Sequence, residues 1–163
     1  MGCGVMRIAG IVRDSIVDGV GVRDVVFFQG CSKHCDGCHN PQTWDYDGGT
    51  VYLAYQIVDE LESSSNNITI SGGEPLDQFD ALVRLLKLIK VRTNKTVWLY
   101  TGEVVDMSKP LWKYLAKFVD VVVDGRYVCG LRDANLPFRG STNQRLIDMK
   151  KSLEAQTIVK WEE

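Results

Sequence analysis

Short apolar runs alternate along the chain with longer stretches in which apolar residues recur at helical spacing. Val25-Val26-Phe27-Phe28, bounded by Gly30, has the β-branched and aromatic content of a buried strand. Within residues 51–61, Leu53, Ile57, Val58 and Leu61 recur at helical spacing and predict a helix. Ile68-Thr69-Ile70 reads as a strand ending at Gly72-Gly73. Over 79–91, Leu82, Val83, Leu85, Leu86, Leu88 and Ile89 describe a helix buried on one broad face. A strand over 96–100 follows, then a helix over 111–118 opened by Pro110, a favoured first-turn residue. Residues 119–123 form a strand closed by Asp124-Gly125, and 157–161 a last strand.

Strand and helix in alternation imply right-handed βαβ units and a mostly parallel α/β sheet. The expected architecture is an open partial (βα) barrel or a small wound sheet. No repeat, low-complexity tract or charge block divides the sequence, so residues 1–163 read as one domain, with 1–17 left without assignment. Within that segment, 1–11 is either an added edge strand or a terminus without a role. At 163 residues the chain is too short for a closed eight-fold barrel, which needs at least ~200. In α/β sheets chemistry gathers at the carboxyl ends of the strands. Residues 30–40, 71–75, 101–102 and 124–125 are therefore expected to converge.

Composition narrows the class. Hydrophobic residues make up 45% and charged residues 25%, as in ordinary globular domains. With 19 Lys+Arg against 21 Asp+Glu, the net charge of -2 argues against a nucleic-acid partner. No apolar run approaches the ~18 residues of a membrane span, and no charged-then-apolar leader opens the chain, so the expected location is the cytoplasm. Met1-Gly2-Cys3 hints at lipidation, but Met6 stands where a myristoylation signal wants Ser or Thr.

The five cysteines are Cys3, Cys31, Cys35, Cys38 and Cys129. An odd count with three in one short stretch makes a poor disulfide framework and points to metal or redox chemistry. Cys3 and Cys129 read as isolated thiols. The dense segment is Gly30-Cys31-Ser32-Lys33-His34-Cys35-Asp36-Gly37-Cys38-His39-Asn40-Pro41. A helix could bury three thiols at this spacing, but Gly30, Gly37 and Pro41 oppose one. A tight loop around one metal centre is the better reading. Zinc, with His34 or His39 as a fourth ligand, and an iron–sulfur cluster with one open iron stand even on this loop alone.

Ser71-Gly72-Gly73-Glu74-Pro75 directly follows a predicted strand. Its glycines let a small molecule approach the backbone, and Glu74 offers a carboxylate to an ammonium group. Alone, the segment fits equally well a plain connection with Glu74 in a first helical turn. Taken together, Cys-x3-Cys-x2-Cys after one core strand and Gly-Gly-Glu-Pro after the next resemble the radical S-adenosylmethionine (SAM) enzymes. The finer resemblance is to activating enzymes of glycyl-radical enzymes, through Asp18-Gly19-Val20-Gly21-Val22-Arg23. Trp98-Leu99-Tyr100-Thr101-Gly102, Val123-Asp124-Gly125 and Arg139-Gly140-Ser141-Thr142-Asn143-Gln144 resemble the branch that activates anaerobic ribonucleoside-triphosphate reductase. The likeness runs from about Asp18 to Arg145.

The resemblance implies a radical SAM fold and two cofactors, a [4Fe–4S] cluster and SAM. Cys31, Cys35 and Cys38 would ligate three irons, and SAM would chelate the fourth. Gly37, Cys38 and His39 would lie against SAM, while Gly72, Gly73 and Glu74 would receive its methionine amino end. Reductive cleavage of SAM would generate a glycyl radical on the reductase, with a donor such as flavodoxin supplying the electron. No catalytic side chain beyond the cluster and SAM is implied. One departure is His39, where relatives carry an aromatic residue. The alternatives are another glycyl-radical enzyme or a small molecule as target, or a zinc-binding domain without activity. Among other residues, Asp124 reads equally as a turn cap, Arg23 and Arg139 as solvated, His34 as solvent-facing, and Trp44, Trp98, Trp112 and Trp161 as core or interface.

Overall fold

The computed structural model describes residues 4–163, so Cys3 and the Met1-Gly2-Cys3 start lie outside the described residues. Seven strands form one sheet: β1 (Val5–Ser15), β2 (Arg23–Phe28), β3 (Thr50–Leu53), β4 (Asn67–Gly72), β5 (Val97–Tyr100), β6 (Val121–Asp124) and β7 (Arg145–Asp148). Their order is β3-β1-β2-β4-β5-β6-β7, an open sheet whose ends do not meet. The four central strands, β2, β4, β5 and β6, run parallel. β1 lies antiparallel to both β2 and β3, and β7 antiparallel to β6.

The period-2 alternation of the strands sorts their side chains onto two faces. On one, Val26, Phe28, Ile68, Ile70, Val97, Leu99 and Val122 join the main core. Helix α1 (Ala54–Glu62) adds Ile57, Val58 and Leu61, and α2 (Phe79–Arg92) adds Leu82, Leu85, Leu86 and Ile89. On the other, Trp98, Val121, Val123 and Leu146 form a smaller cluster with Tyr100, Phe138 and Trp161 packed on it. Burial on both faces is why the central strands read as near-continuous apolar runs.

Several sequence-based expectations need correction. Residues 5–15 are neither a terminus without a role nor an edge: β1 sits between β3 and β2, burying Met6 and Ile8. The helix expected over 51–61 starts only at Ala54, because Thr50–Leu53 pairs with β1 as the true edge strand β3. Helix α3 (Pro110–Leu115) stops short of residue 118. The strand expected over 157–161 is reduced to an isolated Ile147–Lys160 bridge. β7 and the following helix α4 (Met149–Ala155) take that space, with the Asp148 carboxylate accepting from Lys151 N at 2.9 Å as an N-cap. Among the described residues no helix is long and apolar enough to cross a membrane.

Candidate functional site

The parallel strands β2, β4, β5 and β6 all point their carboxyl ends the same way, and the loops that follow them meet around one cavity of about 690 Å³. Cys31, Cys35, Cys38 and His39 line it from the first loop, Gly72–Glu74 from the second, Thr101 and Gly102 from the third and Gly125 from the fourth. The convergence expected of segments 30–40, 71–75, 101–102 and 124–125 is thus present; of the last pair, Gly125 reaches the cavity wall.

Backbone contacts clasp the first two loops together. Gly73 N donates to Phe28 O at 2.8 Å and Glu74 N to Gly30 O at 2.8 Å. Gly73 has to be glycine, since a Cβ there would fall 2.2 Å from the Gly30 carbonyl oxygen. The cysteine loop folds back on its own continuation, with Gly30 N bonded to Thr43 O at 2.6 Å and Cys31 N to Trp44 O at 3.2 Å. From the turn after Glu74, the Asp77 carboxylate accepts from Ser32 N (2.8 Å), Ser32 Oγ (3.0 Å) and the Tyr46 hydroxyl (2.7 Å). Burial, reinforced by that carboxylate, pushes the Tyr46 hydroxyl up to about 12.

Within the loop, Cys31 is buried and Cys35 and Cys38 half-buried, all three as free thiols. The loop backbone donates toward sulfur, from Lys33 N to Cys31 Sγ and from Asn40 N to Cys38 Sγ, each at 3.4 Å. Burial pushes the Cys31 thiol up, while the Lys33 and His34 N–H groups work the other way. Gly37 turns the loop at φ +72°, with Cys129 Sγ and Tyr127 packed directly against it. Three thiols on one cavity wall could hold three irons of an iron–sulfur cluster, one thiolate fewer than the four such clusters usually take.

Glu74 is 1% exposed. Its Oε1 accepts from Leu76 N (3.0 Å) and Thr101 Oγ1 (2.8 Å), and its Oε2 from Gly102 N (2.7 Å). A carboxylate has about four acceptor sites, so three are already engaged in tying the second loop to the third. Burial pushes this carboxyl above its ordinary value, against the pull of those donors.

Other sequence candidates have structural roles. Arg23 is not solvated but fully buried, donating to Thr69 Oγ1 (2.8 Å) and Ile68 O (2.7 Å) and lying 5.5 Å from the Trp98 ring. Desolvation lowers it to about 10. Asp124 accepts from Val105 N at 2.8 Å and pairs with Arg145 at 2.5 Å. His34 is exposed yet stacked on Trp44, and His39 lies against Tyr127 with ring centres 5.1 Å apart.

Sequence reasoning missed the long connection between β6 and β7 as a cavity wall, to which Arg126, Tyr127 and residues 134–140 contribute. Its turn is built by Gln144 Oε1, which accepts from Gly140 N and Ser141 N at 3.0 and 3.1 Å. Phe138 O accepts from the Tyr100 hydroxyl at 2.6 Å. The cluster of Gly, Ser, Asn and Gln at 140–144 was the available signal, since such residues hydrogen-bond their own backbone. Trp44, grouped by sequence with core tryptophans, also lines the cavity.

Comparison with known proteins agrees with this geometry. The family described as "4Fe-4S single cluster domain" matches residues 17–147. The anaerobic ribonucleoside-triphosphate reductase-activating protein of Escherichia coli (strain K12) is 33% identical over 138 residues, 79% of this chain and 90% of that one. A shorter match, 43% over 91 residues, relates 52% of this chain to 38% of the pyruvate formate-lyase-activating enzyme of Clostridium pasteurianum. Among solved structures, QueE from Escherichia coli shares the fold at a TM-score of 0.51 and 13% identity, covering 94% of this chain and 68% of that one. The open sheet, the cysteine loop at its carboxyl edge and these matches together establish that the chain belongs to the 4Fe-4S single cluster domain family, in the branch holding the reductase-activating proteins.

Proposed function

We propose that this protein is a radical SAM activating enzyme that generates a glycyl radical on an anaerobic ribonucleoside-triphosphate reductase. The observation that carries the reading is the meeting of Cys31, Cys35 and Cys38 with Gly72, Gly73 and Glu74 around one cavity at the carboxyl ends of parallel strands. Cys31, Cys35 and Cys38 would hold three irons of a [4Fe–4S] cluster, with one iron left for SAM. When bound, the cluster and SAM supply a one-electron reductive cleavage and a radical able to take a glycine α-hydrogen.

The chain's own residues position these groups. The backbone of Gly37, Cys38 and His39 and the Gly72–Gly73 turn receive SAM. Glu74, with one acceptor site left, would receive its ammonium group, while Thr101 and Gly102 keep that carboxylate fixed. His39 against Tyr127 offers planar surface beside the loop. Tyr100 and Phe138 line the wall that β5 and the β6–β7 connection form. The electron comes from a reductant such as flavodoxin. The names of the relatives support the reductase as target, and the shorter match to a pyruvate formate-lyase-activating enzyme supports glycyl-radical activation more broadly.

The test is electron paramagnetic resonance on reconstituted, reduced protein mixed with SAM and the reductase. A glycyl-radical doublet, lost in Cys31→Ala, Cys35→Ala or Cys38→Ala protein, is the expected result. A cluster signal altered by SAM without a doublet would discard this partner. A colourless, zinc-loaded protein would overturn the reading.

A further inference from the structure

The two peptide groups that flank Cys31 are both anchored. The Gly30 carbonyl accepts from Glu74 N at 2.8 Å, Cys31 N donates to Trp44 O at 3.2 Å, and Ser32 N donates to the Asp77 carboxylate at 2.8 Å. A residue has only two soft backbone dihedrals, so fixing the peptide plane on each side fixes both. The direction in which the Cys31 thiol leaves the chain is then set as well. Two of the three anchors come from the turn after β4, and Asp77 is the one of them that a side chain supplies.

Asp77 lies at the surface, yet both its carboxylate oxygens are engaged. One accepts from Ser32 N and from the Tyr46 hydroxyl at 2.7 Å, the other from Ser32 Oγ at 3.0 Å. Hydrogen bonds to an ionised acceptor are the strong ones, and three meet here on one group. The Tyr46 ring packs directly on Gly30, where a Cβ would fall 2.4 Å from Tyr46 Cδ1. One tyrosine thus touches both the residue before Cys31 and the carboxylate that holds the residue after it. The base of the turn is fixed too. Asp77 N donates to Glu74 O at 3.0 Å, and the Gln78 amide donates to Gln29 O (2.9 Å) and Arg7 O (3.0 Å) while accepting from Arg7 N (2.9 Å).

We propose that Asp77 is a positioning residue for the metal centre: it holds Ser32 N so that Cys31 presents its thiolate to iron in one orientation, at a fixed offset from Glu74. The inference rests on the cluster assignment under Proposed function. Groups that orient a metal ligand govern metal retention nearly as the ligands do, and losing one typically costs roughly 10–100-fold in affinity or activity. Asp77 touches neither iron nor substrate in this role and acts only through Cys31.

Two measurements on the full chain test this. In cluster-free protein, alkylation of each cysteine by iodoacetamide is followed by mass spectrometry. Cys31 is 8% exposed, and Asp77→Asn, which keeps the side chain's shape but removes its charge, is expected to raise the Cys31 rate at least threefold. Cys129, already exposed, should react as before. In reconstituted protein without SAM, Asp77→Asn is expected to lose iron to a chelator about tenfold faster, with a broadened electron paramagnetic resonance signal from the reduced cluster. Asp106→Asn is the matched control. Its carboxylate accepts from Ser108 N at 2.9 Å and Ser108 Oγ at 2.7 Å in the same pattern, and neither residue lines the cavity; all readings should stay at wild-type values. Unchanged Cys31 alkylation in Asp77→Asn would overturn the proposal while leaving the cluster assignment intact. An equal rise at Cys35 and Cys38, or a matching loss of iron in Asp106→Asn, would show general loosening and overturn it too. Wild-type protein that assembles no cluster would instead overturn the assignment itself.

Discussion

Glu74 illustrates how much a single residue's role depends on its neighbours. By type it is a carboxylate available to a ligand; in place it is buried, with Leu76 N, Thr101 Oγ1 and Gly102 N already on it. Glu74→Gln would set an amide N–H against the Gly102 N–H and orphan that donor. The expected loss is about 1–3 kcal/mol near neutral pH, measured by urea unfolding. The pH dependence has a definite sign. Burial raises the folded-state pKa of this acid, so in the interval between the unfolded and folded values the folded chain holds a proton that the unfolded chain has lost. The contribution of Glu74 to stability therefore falls as pH climbs through that interval and is level above it. Glu74→Gln should lack this falling component, which sets in above the ordinary carboxylate range. A variant with the wild-type profile would show that the carboxyl is not the group being titrated.

At the scale of elements, the site is made by loops locking onto one another. The turn after β4 rests on the end of β2 through Gly73 N to Phe28 O and Glu74 N to Gly30 O, each at 2.8 Å. In Gly73→Ala the new methyl would meet Gly30 O at 2.2 Å and Thr43 O at 2.9 Å, backbone on both sides that cannot swing away. The expected outcome is about 1–3 kcal/mol of lost stability together with reduced iron per chain after reconstitution. Wild-type melting and iron content would show that this clasp does not build the site. Sequence pattern read these central elements well because each buries a face and so carries an unbroken apolar signature. It read the flanks poorly. β3 has only Tyr52 and Leu53 partly buried, and its apolar residues blend into the periodicity of α1. β7 is four residues with charged ends, Arg145 and Asp148, and only Leu146 and Ile147 buried. The 157–161 stretch reads like a strand in sequence because it carries the apolar Ile158, Val159 and Trp161, and Ile158 and Trp161 do pack on the core clusters. Yet its backbone bonds to β7 and Asp148 are isolated ones, Asp148 N to Val159 O and Trp161 N to Leu146 O, and Val159 N turns instead to Ser152 Oγ. The cysteine loop was legible from spacing. Trp44 as a cavity residue was not, because no local pattern distinguishes a tryptophan in a cavity wall from one in the core.

For the whole molecule the open sheet has a mechanical consequence. Its ends, β3 and β7, do not meet, so the cavity is walled by loops rather than by a closed ring of strands. At its rim stand Ile16 and Val17, 71% and 70% exposed, in the connection from β1 to β2. Exposed apolar residues beside a cavity commonly mark a binding surface. With a net charge of only -2 the chain has little long-range field to steer a partner, so contact at such residues has to carry the affinity. If the reductase covers this side and delivers its glycine through it, replacing Ile16 and Val17 together by aspartate should weaken binding at least tenfold, about 1.4 kcal/mol. Isothermal titration in the presence of SAM measures it. Because both side chains face solvent, the melting temperature and the SAM-altered cluster signal should stay at wild-type values, which separates a docking defect from a folding one. Binding should also vary little with salt. Undiminished affinity in the double variant would place the partner on another face and leave the exposed pair without a role in docking.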